Sequence, residues 1–368
     1  MTTPFDLGDE LGPAKILYLV NPAVGLKAIV VVDNIACGPA IGGTRMAPDV
    51  SLEECARLAR AMSYKNAAAG LAHGGAKSVI FADASMKLEQ KETLIRAFAR
   101  AIEDVRSYIP GPDMGTDEIC MAWIQDEIGR SVGLPREIGG IPLDEIGATG
   151  FGVAVAAEVA EEFGGVKLDG ARMAIQGFGA VGQHAGRQLA ARGAILVAAA
   201  DSRNTITSKS GIEVDALIHT KRQHGRLSAH PGVEALDSGH IVGVDCDIWI
   251  PAARPDVLTA RNVGSVKAKV ILQGANIPVT AEAEELLHRR GILSVPDFIA
   301  NAGGVICAAV EFHGGSQTAA FAEIEEKIRR NTREVLQRAR TNNEQPRTSA
   351  VALARERIGH AMSLRRWH

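Results

Sequence analysis

Gly177, Phe178, Gly179, Ala180, Val181 and Gly182 form a compact glycine pattern directly after the apolar run RMAIQ, and they open an alanine-rich segment. A strand, a tight turn and a helix in that order suit a dinucleotide. The first glycine turns the chain, the second lets backbone approach a pyrophosphate, and the third lets helix and strand pack closely. The pyrophosphate then sits at the helix N-terminus, where unpaired N–H groups and the helix dipole favour an anion. Asp201 closes the next apolar run, ILVAAAD, 24 residues beyond Gly177. A carboxylate there can hold both hydroxyls of the adenine ribose and would repel the 2′-phosphate of NADP, so the expected cofactor is NAD. Arg203 lies close enough to soften that choice.

Three further residues could act on a substrate. Lys65 stands in AMSYKNAAAG, Lys77 in HGGAKS and Asp113 in YIPGPDMGTDE. A lysine at a glycine-flanked strand start can project into a cleft, and an aspartate after a proline-constrained loop can face the same space. Each also has a plain reading, as a surface lysine or as a helix N-terminal carboxylate, and the residues alone leave both open.

The elements that must position these groups alternate. Apolar runs at 26–34 and 77–82 predict strands. Between them Ser51 and Glu54 make a capping box for a helix to about Asn66, with Lys65 near its C-terminal end, where the dipole favours a cation. A second helix is predicted over 89–105. The glycine-rich stretch 137–149 reads as a hinge, followed by a helix at about 150–163. Apolar runs at 246–250, 270–272 and 293–295 continue the alternation, and helices at 321–340 and 349–362 close the chain around a polar loop at 341–347. The predicted fold is therefore α/β with two domains. Residues 1–145 would form a substrate-binding and assembly domain, with the helical segment from about 335 to 368 packing back on it. Residues 146–334 would form a doubly wound Rossmann-type NAD-binding domain.

Composition sets the bounds. A chain of 368 residues exceeds the size at which one core usually stops growing. Its 40 basic and 43 acidic residues are interspersed, with no basic block to carry nucleic acid. No apolar run approaches the roughly 18 residues that span a bilayer. Five cysteines show no ligand spacing, so no metal site is expected, and the polar start MTTPFDLGDE does not read as a secretory signal. The expectation is a cytoplasmic protein with reduced thiols.

The stretches GLKAIVVVDN, CGPAIGGTRMAPD, LARAMSYKNAAAGLAHGGAKSVI, GPDMGTDE, GFGAVG, VKAKVILQGANIPVT and PDFIANAGGV resemble, in order, the amino acid dehydrogenase family of glutamate, leucine, valine and phenylalanine dehydrogenases. The resemblance runs from about residue 13 to 315. It implies reversible oxidative deamination of an L-amino acid to a 2-oxo acid and ammonia, and a homo-oligomer. Lys77 would be the catalytic lysine that activates water, and Asp113 would shuttle protons at the amino group. Lys65 would pair with the α-carboxylate, beside Gly42 and Gly43 of the glycine stretch. Asn276 and Asn301 would position the nicotinamide ribose and the substrate, and Thr149 would lie near the nicotinamide amide.

Members acting on glutamate carry a lysine where this chain has Ile41, and a serine where it has Ala308. Both changes remove partners for a distal carboxylate, whose unpaired burial would cost several kcal/mol. The resemblance therefore implies a small apolar substrate, branched or aromatic, and pocket character nearest the leucine, valine and phenylalanine branch. GPDMGTDEICMAWIQDEIG and VKAKVILQGANIPVT look more like the glutamate-type versions of those regions, which keeps an unusual amino acid or glutamate as the alternative substrate. A non-catalytic dinucleotide sensor is the alternative of another class, and it gives Lys65, Lys77 and Asp113 nothing to do.

Overall fold

A computed structural model describes residues 4–365. They form two compact units. Among them the first comprises residues 4–143, 305–321 and 351–365; the second comprises 144–304 and 322–350.

The first unit is built on strands β1 (Lys15–Asn21), β2 (Leu26–Asn34), β3 (Ala40–Ala47), β4 (Gly74–Phe81) and β5 (Tyr108–Pro112), with helices α1 (Leu52–Ala68), α2 (Leu88–Ala101) and α3 (Glu118–Ile128). The sheet order is β1-β2-β4-β3-β5. The pairs β1–β2 and β2–β4 are antiparallel, and β4–β3 and β3–β5 are parallel. The continuous apolar run of β2 is explained by burial on both faces. Ala28, Val30 and Val32 pack with Phe98 and Ile95 of α2 and Met121 of α3, whereas Ile29 and Val31 pack with Cys55 and Ala59 of α1.

Ser51 caps α1 by accepting the Glu54 N–H at 3.1 Å. The other half of the expected capping box does not form, because the Glu54 carboxylate turns to Arg45. Helix α2 ends sooner than predicted, yet Ile102 and Val105 stay buried in the turn that follows. The cap of α3 is Asp117, which accepts the Cys120 N–H at 3.0 Å.

The second unit begins with α4 (Ala148–Gly164), β6 (Arg172–Gln176), α5 (Ala180–Ala190), β7 (Ile195–Ala200), β8 (Asn204–Ile212), α6 (Val214–His224) and β9 (Glu234–Asp237). It continues through β10 (Ile248–Pro251), β11 (Val270–Leu272), α7 (Ala281–Arg289), β12 (Leu293–Val295) and α8 (Asp297–Ala300). Its sheet runs β12-β11-β10-β6-β7-β8-β9. The strands from β12 to β7 are parallel and the β8–β9 edge is antiparallel. The chain leaves β6 toward β7 on one side and returns to β10 on the other. That reversal makes the switch point at which ligands bind in open α/β sheets.

Three helices close the chain: α9 (Gly303–Phe312), α10 (Gln317–Asn342) and α11 (Pro346–Ser363). The loop predicted at 341–347 shrinks to three residues, since α10 runs to Asn342 and Pro346 opens α11 with the φ that a first turn wants. The unit boundaries also differ from the expected 1–145 and 146–334. Residues 305–321 belong to the first unit because Glu311, buried on α9, accepts the N–H groups of Gly133 (2.7 Å), Leu134 (3.2 Å) and Ile141 (2.6 Å). Residues 322–350 belong to the second. There Arg329 pairs with Glu158 at 2.5 Å, Arg340 lies 4.3 Å over the Phe163 ring, and Arg347 pairs with Glu284 at 2.6 Å. Of the segment from about 335 that was expected to pack on the first unit, residues 351–365 do so among the described residues.

At Gly75 of β4, α1 presses close on the sheet. A Cβ there would lie 2.0 Å from the Ser63 backbone nitrogen, which the helix holds rigidly. Gly75→Ala is expected to destabilise the protein by about 2–3 kcal/mol, as overpacking against fixed backbone does. Chemical denaturation checks this; an unchanged midpoint would mean that α1 can move away.

Candidate functional site

Lys77 and Gly43 come from the neighbouring strands β4 and β3, and Asp113 from the residue just after β5, which also borders β3. Lys77 lies in the middle of β4, not at its start as the sequence suggested, and Asp113 directly follows β5. Lys77 Nζ lies 2.9 Å from Asp113 Oδ2, with the lysine side chain 7% and the aspartate side chain 21% exposed. Gly43 of β3 is what makes room for the meeting. A Cβ at this position would fall 2.8 Å from Asp113 Cβ and 3.0 Å from Lys77 Nζ. Its neighbour Gly42 points the other way, where a Cβ would lie 1.7 Å from the Ala76 carbonyl oxygen. One glycine lets β3 and β4 approach, and the other leaves space over the charged pair.

Arg45, also on β3, donates from Nε to the same Asp113 Oδ2 at 2.9 Å. Burial works to raise the Asp113 carboxyl, but the Lys77 ammonium and the Arg45 guanidinium outweigh it and hold the group below its ordinary value. Asp113 is therefore an anion over the whole neutral range. Beneath the pair, hydroxyls of three strands lock together. Ser78 Oγ lies 3.0 Å from Thr44 Oγ1 and 2.8 Å from Tyr108 Oη, and Tyr108 donates to the Gly42 carbonyl at 3.1 Å.

Lys65 is half-buried in the last turn of α1. Ser63 touches Gly75, and Asn66 donates to the Gly74 carbonyl at 2.6 Å and the Ile41 carbonyl at 3.4 Å. These contacts set the end of α1 over the starts of β3 and β4. Ile41 itself is 3% exposed, and Ala308 on α9 is 6% exposed.

In the second unit the 177–182 turn leaves the C-terminal end of β6, the centre of the switch point. Gly177 has φ +89°, and a Cβ on it would lie 2.7 Å from Ala253 beyond β10. A Cβ on Gly182 would lie 2.1 Å from the Gly177 carbonyl oxygen, so the third glycine serves close packing. Gly179 faces open space, and it begins α5 without a side-chain cap, leaving the first-turn N–H groups near Ala180 and Val181 for an anion. Phe178 is buried, and its carbonyl accepts from Lys221 Nζ at 2.7 Å and Gln183 Nε2 at 3.0 Å, so its part is to anchor the turn.

Asp201 follows β7, and its Oδ1 accepts the N–H groups of Arg203 (2.9 Å) and Asn204 (3.1 Å). Both bonds fall on one oxygen. Thr149 lies in the first turn of α4. Asn276 and Asn301 meet: Asn301 Nδ2 donates to Asn276 Oδ1 at 3.0 Å and to the Ala275 carbonyl at 3.1 Å. The opposite atom, Asn301 Oδ1, is buried with no hydrogen-bond partner, as a group reserved for a ligand would be.

Sequence reasoning passed over several residues that build these sites. Arg45 was visible as a cation beside two glycines in an apolar setting, and Glu54 was read only as a cap. Lys221 lies outside the fingerprint, and burial lowers its ammonium despite the field of Asp201. Asp297 accepts the Ile277 N–H at 2.8 Å, next to Asn276, while Arg347 pairs with its other oxygen at 2.9 Å. No local pattern marks Arg347. Among the described residues there is no cluster of metal-ligating side chains, and no helix is long and apolar enough to cross a membrane.

Residues 139–366 match the profile of Glutamate/Leucine/Phenylalanine/Valine dehydrogenase, and residues 20–130 match that of the Glu/Leu/Phe/Val dehydrogenase dimerisation domain. The chain is 37% identical over 362 residues to the NADP(+)-dependent glutamate dehydrogenase of Pyrobaculum calidifontis, covering 91% of this chain and 85% of that protein. Its fold is similar to the hetero-hexameric glutamate dehydrogenase of Thermus thermophilus in a leucine-bound form, at TM-score 0.86 and 29% identity, over 96% of this chain and 90% of that one. It is also similar to the L-tryptophan dehydrogenase of Nostoc punctiforme, at TM-score 0.75 and 26% identity, over 96% and 98% of the two chains. With a matching profile over both units and the two-domain α/β fold, this chain belongs to the Glu/Leu/Phe/Val dehydrogenase family of amino acid dehydrogenases, enzymes that use a nicotinamide dinucleotide.

Proposed function

We propose that this chain oxidatively deaminates a small apolar L-amino acid, branched or aromatic, to its 2-oxo acid and ammonia, reversibly and with NAD. The observation that carries the reading is the buried Lys77–Asp113 pair beside Gly43, with apolar Ile41 two residues before it on β3.

The residues of the second unit fit the cofactor: the open face of Gly179, the uncapped start of α5 and the unpartnered Asn301 Oδ1 leave donors and an acceptor unspent. When bound there, the dinucleotide supplies the acceptor for the hydride that leaves the α-carbon. Asp201 supports NAD, because its carboxylate can take the ribose hydroxyls and opposes a 2′-phosphate. Asn276, Asn301 and Thr149 orient the nicotinamide half.

The chain's own groups do the rest. Lys65 holds the α-carboxylate, and the amides of Gly42 and Gly43 border it. Asp113 takes a proton from the amino group, leaving an imine once the α-hydride has gone. Lys77 holds the water that adds to the imine carbon and the charge that builds on its oxygen. Asp113 returns a proton to the nitrogen, which leaves as ammonia. Amino acid and water thus become 2-oxo acid and ammonia, with two electrons passed on as hydride and one proton released.

Ile41 and Ala308 line the side-chain end and offer a distal carboxylate no partner. A second reading, glutamate, is favoured by the name of the relative at 37% identity. We place the protein in the cytoplasm as a homo-oligomer, and the dimerisation-domain match over 20–130 supports the assembly.

The test is NADH oxidation by the purified protein with a panel of 2-oxo acids, each with and without ammonium. Ammonium-dependent turnover of branched or aromatic oxo acids is expected; preference for 2-oxoglutarate would overturn the apolar assignment. Ile41→Lys combined with Ala308→Ser is expected to raise the 2-oxoglutarate rate relative to the best apolar oxo acid by about tenfold or more, since a buried carboxylate gains a partner worth at least 1–3 kcal/mol. Gly177→Ala, strained at φ +89° and pressed on Ala253, is expected to weaken dinucleotide binding at least tenfold by fluorescence titration. Unchanged affinity would mean that the turn is not where the cofactor lies.

A further inference from the structure

We propose that Arg45 and Glu54 are a positioning pair for Asp113: Arg45 holds Oδ2 and leaves Oδ1 to carry the proton, and Glu54 tempers the charge that Arg45 presents. The inference rests on the reading of Asp113 as the proton shuttle.

The contacts are asymmetric. Lys77 Nζ and Arg45 Nε both lie 2.9 Å from Oδ2. A carboxylate pinned at one oxygen cannot rotate freely, so the exchanging proton is directed to the other. The far side of the guanidinium is taken by Glu54, whose Oε1 meets Arg45 Nη1. The arginine side chain is only 19% exposed, and Glu54 and Asp113 are 29% and 21% exposed, so water screens this chain of charges weakly.

The need for such a device follows from chemistry. With two cations on it, Asp113 is too weak a base to take a proton from an amine with ease. During turnover Lys77 must give its ammonium to water and to the developing oxygen charge, which leaves Arg45 as the remaining cation on Oδ2. The balance of Arg45 against Glu54 then fixes how basic Asp113 is at the moment it acts.

Other ionisable groups facing the cluster are quiet. Tyr108 on β5 and Cys55 on α1 feel Asp113, Lys77 and Arg45, but burial pushes the Cys55 thiol up to about 12 and the Tyr108 phenol higher still, so both stay neutral. Lys77 from β4, Arg45 from β3 and Glu54 from α1 are the charges that count.

The sign of the effect is fixed. Removing the Glu54 charge leaves Arg45 undiluted, which stabilises the Asp113 anion, lowers its basicity and moves the acid limb of kcat to lower pH. Removing the Arg45 charge does the reverse. A unit charge one guanidinium away, in a half-buried site, is worth about half a pH unit or more.

The experiment measures kcat and KM from acid to neutral pH, with the amino acid the wild type turns over best, for wild type, Glu54→Gln, Arg45→Met, Arg45→Lys and Asp113→Asn. Glu54→Gln is expected to lower kcat about threefold, to leave the amino acid KM within twofold and to move the acid limb down by about half a unit. Arg45→Met is expected to move the limb up, with Arg45→Lys between it and wild type. An acid limb lost in Asp113→Asn but unmoved in Glu54→Gln and Arg45→Lys, with kcat unchanged, overturns this inference alone. Full activity in Asp113→Asn overturns the shuttle reading and the inference with it. Should Arg45→Met fail to fold, Glu54→Gln and Arg45→Lys decide, since both keep a hydrogen-bonding group in place.

Discussion

A lysine ammonium 7% exposed inside a sheet is tolerable only because a carboxylate meets it, and the first unit is arranged around that contact. Asp113 answers Lys77, Arg45 answers Asp113, and Glu54 answers Arg45, so four charges, on β4, just after β5, on β3 and on α1, are satisfied in sequence. The geometry depends on residues with no charge at all. Gly43 leaves the volume in which Lys77 and Asp113 touch, Gly42 lets the backbones of β3 and β4 approach, and Gly75 admits α1. Below them the Ser78, Thr44 and Tyr108 hydroxyls tie the same three strands. Strain or slack at any of these points would be felt at Asp113, since the hydrogen-bonded carboxylate has little room to adjust.

The second unit follows the same logic with fewer charges. Its sheet reverses order between β6 and β10, and the glycine turn is wedged there, with Gly177 against Ala253. Behind the Asn276–Asn301 contact, Asp297 fixes the left-handed backbone at Ile277, whose φ is +49°, and Arg347 with Glu284 and Gln273 fixes Asp297. The two carboxamides are thereby held against each other, with Asn301 Oδ1 buried and unpaired. Polar groups left open in a packed setting mark where a ligand completes the structure.

Much of this was legible in the residues. The burial of β2 on both faces was written in an unbroken apolar run, and the fingerprint turn announced itself through its glycines and the strand before them. Lys65, Lys77 and Asp113 were found as types, although the resemblance to a family, not their spacing, separated them from surface charges. What could not be read was tertiary. Strand β3 hid behind Gly42 and Gly43, residues that disfavour strands unless another backbone needs their room. Glu54 fits a capping box locally, and only the fold shows that Arg45 competes for it. Glu311 ties α9 to the first unit and Arg347 ties the start of α11 to the second, through partners fifty or more residues away that no periodicity connects.

On the function proposed above, the Lys77–Asp113 pair works on the α-carbon of an amino acid while its hydride departs. The most direct measurement is the pre-steady-state rate of reduced cofactor formation, using an amino acid with hydrogen or deuterium at the α-carbon, in wild type and in Asp113→Asn. Wild type is expected to show a fast phase that slows on deuteration, with deuterium recovered on the reduced nicotinamide, and Asp113→Asn is expected to lose the fast phase while keeping its cofactor affinity. A fast phase in Asp113→Asn equal to that of wild type would contradict it.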